Sequence, residues 1–263
     1  MEQTAIIDGK VVSYCLSQGE SDSFFLFLHG RGRSKEDRTW YLEKLKEKKV
    51  WFLALDFPWF WKSQYPWAVR GIPEYSEFIL HCLEKFEISI PVSFVGHSFW
   101  GRVAFYLASQ FPQKIKNLFL CAPWGVEKVM SPFRKKLYAL GKKILSFSFL
   151  KPLKKFLLKK LGSADYLWNP WMRETLVKVV NQDLRQYFPS ISQEVFLFRW
   201  TDDEQILRWQ IDEMKKGIKN LHYKEYPWGS HDIHFEEKEE IWNSMFPSKT
   251  FKNHWKKEDK KYL

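Results

Sequence analysis

The 263-residue sequence is poor in cysteine, in glycine and in long apolar runs. Its three cysteines, Cys15, Cys82 and Cys121, are odd in number and scattered through apolar stretches. That excludes a disulfide framework and points to a reducing compartment. No unbroken apolar run is long enough to span a bilayer. The first ten residues, MEQTAIIDGK, lack the basic-then-apolar pattern of a signal peptide. A soluble, cytoplasmic protein is therefore expected. Acidic residues are outnumbered, 31 against 42 basic ones, for a net charge of +11. The excess is gathered on no recognisable nucleic-acid-binding motif, only in residues 133–161 and 252–261, so no nucleic-acid partner is expected. Glycine, at 12 residues, is rarer than tryptophan at 14, against a typical glycine share of about 7%.

What is present is an alternation of apolar runs and helical patterns. Residues 4–7 and 11–15 flank an Asp8-Gly9-Lys10 turn and read as a hairpin. Residues 23–28 (SFFLFL) form a continuous apolar run, the mark of a strand buried on both faces. Helical signals at 35–48, 72–86 and 99–111 alternate with strand signals at 50–55, 90–95 and 115–121. This rhythm predicts an α/β fold with a mostly parallel sheet flanked by helices. It breaks at Pro123 and resumes with a strand at 195–199, a helix at 204–216, a strand at 222–226 and a helix at 236–245. A helical insertion over 124–192 is thus expected to interrupt one core domain made of 1–123 and 193–263.

The chemistry centres on residues 92–108, VSFVGHSFWGRVAFYLA. A buried strand that turns abruptly into a helix with serine at the bend is a nucleophile elbow, a strained turn that holds the hydroxyl clear of the sheet. Ser98 is the candidate nucleophile. A serine needs a base, and the base needs a group to orient it. Two later strand ends supply these types: Trp200-Thr201-Asp202-Asp203 after one strand and Gly229-Ser230-His231 after another. The loops at the carboxyl ends of parallel strands are where ligands bind in such sheets. Asp203 is also well placed to cap the helix that follows, and His234 competes with His231. His29, His97 and His231 show no metal-ligand spacing, and no metal or cofactor is expected.

Five loops in order resemble those of the α/β-hydrolase superfamily: HGRGRS at 29–34, DFPWFWKSQYP at 56–66, GHSFWG at 96–101, FRWTDDEQI at 198–206 and GSHDIHFE at 229–236. The resemblance covers about residues 20–247 apart from the insertion, which such enzymes carry as a cap. It implies Ser98 as nucleophile, His231 as base and Asp203 as acid, with Asp202 as its rival. The backbone N–H groups of Arg31 and Phe99 match the oxyanion-hole donors. His29, Gly30 and Trp100 are placed at the substrate-binding wall, His29 also fixing the oxyanion loop. The activity implied is hydrolysis of a small-molecule carboxylic ester through an acyl-enzyme. A weakened or ligand-binding relative, a lactonase, a thioesterase, an aminopeptidase and a carbon–carbon hydrolase are the alternatives, because fold does not fix function.

The sequence departs from the family's loops in one consistent way. Trp59, Trp61, Trp100 and Trp200 stand where the family has glycine. Either a UGA codon read as glycine in the source organism has been rendered as tryptophan, or a tryptophan-rich site has adapted its packing. UGG codons at all four positions would exclude the first. Within the insertion, residues 149–161 (FLKPLKKFLLKKL) read as an amphipathic basic helix. Its lysine face is either simply solvated or a peripheral contact for anionic lipid.

Overall fold

A computed structural model describes residues 2–30, 33–57, 63, 70–127, 136, 170–229 and 231–247. The described chain builds one eight-stranded sheet in the order β1-β2-β4-β3-β5-β6-β7-β8. Strands β1 (Gln3–Ile7), β2 (Lys10–Ser17) and β4 (Trp51–Leu55) pair antiparallel in that succession. All other pairings are parallel: β4 with β3 (Phe24–Leu28), β3 with β5 (Val92–His97), β5 with β6 (Ile115–Cys121), β6 with β7 (Glu194–Trp200) and β7 with β8 (Leu221–Tyr226). Asp8 and Gly9 at the β1–β2 turn both have positive φ, 51° and 71°. That is the two-residue turn whose twist suits a hairpin.

Every residue of β3 and of β5 is buried, which explains why those runs carry no polar alternation. Helices α1 (Thr39–Glu47), α2 (Ile72–Lys85) and α3 (Phe99–Gln110) connect the parallel strands. Four further helices follow: α4 (Pro170–Val180), α5 (Arg208–Gly217), α6 (Ile233–Glu236) and α7 (Lys238–Met245). Three helices differ from the sequence reading, and the one expected over 236–245 is two, Ile233–Glu236 and Lys238–Met245. The segment expected as one helix from residue 35 opens with a 3-10 turn, Lys35–Arg38. Helix α5 starts at Arg208 rather than near 204, because the Asp203 carboxylate takes the N–H groups of Gln205 and Ile206 and makes a turn there.

A buried ion pair ties the start of this 3-10 turn to the end of β4. Lys35 Nζ lies 2.7 Å from Asp56 Oδ2, and Lys35 N–H donates to Asp56 Oδ1. The ammonium also donates to Ser13 Oγ on β2, and Asp56 N–H donates to the Ser13 carbonyl. Burial opposes the charge on Lys35, but its acidic partners outweigh burial and raise its pKa. Ser63 closes the same knot, donating to the Asp56 carbonyl and accepting from Ser13 N–H.

The chain divides into two compact units. The sheet lies in the unit made of Met1–Pro66, Ile72–Val126 and Asp183–Leu263; the other comprises Trp67–Gly71 and Glu127–Gln182. Of the insertion expected over 124–192, residues 127–182 fall in the second unit. Residues 183–192 pack with the sheet unit because Phe188 stacks edge-on against Phe105 and lies over Gly217, and Leu184 N–H donates to the Gly125 carbonyl. The basic amphipathic segment 149–161 lies outside the described residues. Among those described, no helix is long and apolar enough to cross a membrane.

Candidate active site

Strand β5 ends at His97 and α3 begins at Phe99, leaving Ser98 as the bend. Its φ of 53° and ψ of −111° lie outside the favoured regions for an L-residue, a strain of order 1–3 kcal/mol that packing must hold in place. The holding contacts are visible. Ser98 N–H donates to the Cys121 carbonyl on β6, and the Ser98 carbonyl accepts from both Gly101 and Trp124 N–H. Gly101 has Pro123 so close that a Cβ there would meet it at 2.3 Å. Phe99 supplies the first N–H of α3, one of the groups a helix leaves without an internal partner. Arg31 lies outside the described residues.

The ring of His231 bridges Ser98 and Asp203. Its Nδ1 is 2.7 Å from Asp203 Oδ2 and its Nε2 is 2.7 Å from Ser98 Oγ. Asp203 accepts only, so the neutral imidazole donates from Nδ1 and accepts the serine proton at Nε2. Burial pushes the Asp203 carboxyl up, but the His231 hydrogen bond, its charge and the N–H groups of Ile206 and Gln205 outweigh burial and hold it below the usual carboxylate range. Asp203 therefore caps the local turn with one oxygen and faces His231 with the other. Asp202 is exposed and bonds only to Thr201 among the described residues.

The acid loop is braced by an arginine that pattern reading passes over. Arg199, buried at the end of β7, donates to the carbonyls of Thr201, Asp203 and Ile206, and its guanidinium pairs with Glu225 on β8. The histidine loop is braced from elsewhere. His97 Nε2 donates to the His231 carbonyl at 2.9 Å. Arg33 pairs with Asp232 and lies over the Phe235 ring. In the same loop Trp228 is 83% exposed with φ of 59°, and Gly229 lies under the Trp200 indole, where a Cβ would meet ring atoms at 2.3 Å.

The three expected wall residues, His29, Gly30 and Trp100, are all buried. His29 is fully buried; Phe57 N–H donates to its Nε2 and its Nδ1 donates to the Gly30 carbonyl. Burial, with the charges of Arg38 and Lys35, pushes its pKa down to about 4. His29 thus ties two loops together and faces no substrate. Trp100 is also fully buried, packed among Phe57, Tyr75, Phe99 and His29, so it is a core side chain. Its ring centroid is 3.7 Å from that of Phe57, closer than the usual 4.5–7 Å for aromatic pairs. Gly30 abuts His97, whose Nδ1 a Cβ would meet at 2.4 Å. Trp59 and Trp61 lie outside the described residues.

Two groups of potential metal ligands occur among the described residues: His97, Asp232 and His234, and Glu2, Glu36 and Asp56. In the second, the Lys35 ammonium already bonds all three carboxylates. In the first, Asp232 holds Arg33 and His97 Nε2 donates to the His231 carbonyl.

The profile of the alpha/beta hydrolase fold family matches residues 24–170, more than half of the chain. The abhydrolase domain-containing protein abhd-5.2 of Caenorhabditis elegans is 32% identical over 95 residues, covering 35% of this chain and 21% of that protein. The chain spans about a fifth to a third of the length of the curated relatives it matches. The structure resembles an esterase from Exiguobacterium antarcticum, with a TM-score of 0.70 at 15% identity over 94% of this chain and 98% of that one. It also resembles the enol-lactonase of Burkholderia xenovorans LB400, with a TM-score of 0.69 at 17% identity over 93% and 98%. The five loops, the strained serine turn and the family match agree: the chain belongs to the alpha/beta hydrolase fold family.

Proposed function

We propose that the protein is a serine hydrolase that cleaves carboxylic esters through an acyl-enzyme. The observation that carries this reading is the imidazole of His231 suspended between the Ser98 hydroxyl and the Asp203 carboxylate, at 2.7 Å from each. In that arrangement Ser98 Oγ attacks the ester carbonyl as its proton passes to His231 Nε2. Asp203, kept ionised, stabilises the imidazolium without itself taking the proton. The charge on the tetrahedral oxygen falls to the Phe99 N–H at the start of α3, with the Arg31 N–H as its second donor. His231 then returns the proton to the leaving alkoxide, and a water activated by the same imidazole releases the acid. The segment between β6 and β7 is the part of the chain that would set the acyl preference. The esterase and the lactonase of the same fold support acyl transfer to water as the reaction class.

The test is hydrolysis of short p-nitrophenyl esters by the wild type and Ser98→Ala. Turnover by the wild type, reduced at least about a thousandfold in the variant, is expected. Equal rates in the two would overturn the reading. Esters of graded chain length then read the acyl preference.

A further inference from the structure

His97 stands between Gly96 and Ser98 and takes no part in the proton path, yet its ring touches two other loops. It is 3% exposed. On one side its Nδ1 edge lies against Gly30 in the loop after β3. On the other its Nε2 donates to the main-chain carbonyl of His231, and its ring centroid is 4.8 Å from that of His231 and 4.3 Å from that of His234. A neutral imidazole has one N–H, and the carbonyl takes it, so Nδ1 is bare. Nδ1 has no hydrogen-bond partner among the described residues, which agrees with that tautomer.

The His231 carbonyl is a sensitive place to hold. A peptide fixed at the carbonyl fixes the direction of the Cα–Cβ bond behind it, and from that bond the imidazole reaches both Ser98 and Asp203. A further side-chain restraint on the loop is the Arg33–Asp232 pair one residue on, while Trp228 is exposed in a backbone region that bulky residues avoid. We propose that His97 is a positioning residue, whose Nε2–H anchors the His231 main chain so that the imidazole stays aligned between Ser98 Oγ and Asp203 Oδ2. This rests on the triad reading above. Burial, reinforced by the charges of His231, Arg38 and Arg33, keeps His97 neutral well below the usual histidine range, so the donor persists through neutral and mildly acid conditions.

The experiment compares His97→Gln with His97→Met. The two side chains have the same length and flexibility, but only glutamine carries an N–H that can replace Nε2–H. Two readouts are used: kcat and KM for the ester, and, in the resting protein, the downfield proton resonance of the His231 Nδ1–H held by Asp203, assigned by its loss in His231→Ala. The methionine variant is expected to lose at least tenfold in kcat with KM within twofold, since a misplacement of about 1 Å can cost a hundredfold, and to broaden or lose the resonance. The glutamine variant is expected to keep the resonance and most of kcat. A methionine variant with wild-type kcat and an intact resonance overturns the proposal, as does a glutamine variant impaired equally with methionine, which would mean packing and not the donor. Should methionine prevent folding, His97→Asn, too short to reach the carbonyl, takes its place. Because the resonance needs no turnover, it decides the role of His97 even if the wild type cleaves no ester.

Discussion

The two loops that bring Asp203 and His231 to Ser98 are held in opposite ways. The acid loop, residues 201–206, is braced from within: Arg199 of its own strand takes three of its carbonyls, and Asp203 takes two of its N–H groups. The histidine loop, residues 227–232, is braced from outside, by His97 of the elbow and Arg33 of the loop after β3. A loop that carries its own scaffold keeps its shape while its neighbours move. A loop held by others is aligned only when all three loops are in place, so assembly of the site is cooperative around His231.

The largest effect should come from removing the inner brace. Arg199→Met leaves Glu225 with Arg208 as its remaining partner and three carbonyls without their donor, a loss of about 2–3 kcal/mol in denaturant unfolding. A loss below about 1 kcal/mol would show that the acid loop does not depend on Arg199. Acid should separate the loops more gently. His97 and His234 are both held neutral, chiefly by burial, well below the usual value of 6.5. The unfolded chain binds their protons near pH 6.5 and the folded one does not, so stability falls as pH drops below 6.5. Asp203 has a lowered pKa, so its contribution is present above the ordinary carboxylate range and is lost only at lower pH still. Amide-exchange protection at 231–235 should decline below pH 6.5 while that at 203–206 persists to about pH 4; simultaneous loss would break the contrast. The smallest effect is a gain. Trp228→Gly should raise stability by about 1 kcal/mol, since a bulky residue in the left-handed region costs about that much. That is roughly 2–4 °C in a thermal melt. Trp228→Ala, which keeps a Cβ, should gain less.

That last position sharpens the question of the tryptophans. Trp100 shows what an interior does with an unexpected indole: it is enclosed among aromatic rings, at the cost of a close approach to Phe57. Trp228, exposed at the surface, shows what packing cannot absorb, a backbone hand that suits glycine. It adds a fifth position to the four at which the loops call for that residue.

Much of the fold was legible because its strands are either wholly apolar, as in β3 and β5, or marked by a turn such as Asp8-Gly9. Helix starts were less legible, since the Asp203 carboxylate ends one turn before α5 begins another. Of the site, Ser98, Asp203 and His231 were readable from side-chain type and loop order. Arg199, His97 and Arg33 were not, because two of them act on main-chain carbonyls, which every residue offers and no pattern records, and the third acts on an aspartate that reads equally well as a cap. The burial of His29 and Trp100 was not legible for a related reason: a motif gives their neighbours in sequence, not the depth at which their rings settle.

The knot of Lys35 and Asp56 carries a consequence for descent. Replacing Lys35 strands the buried Asp56 carboxylate, whereas replacing Asp56 leaves the ammonium its contacts with Glu2 and Glu36, so the aspartate can drift more freely than the lysine. Relatives of this chain should therefore seldom keep the aspartate without the lysine, while a lysine held by its other acidic neighbours should be the commoner mixture.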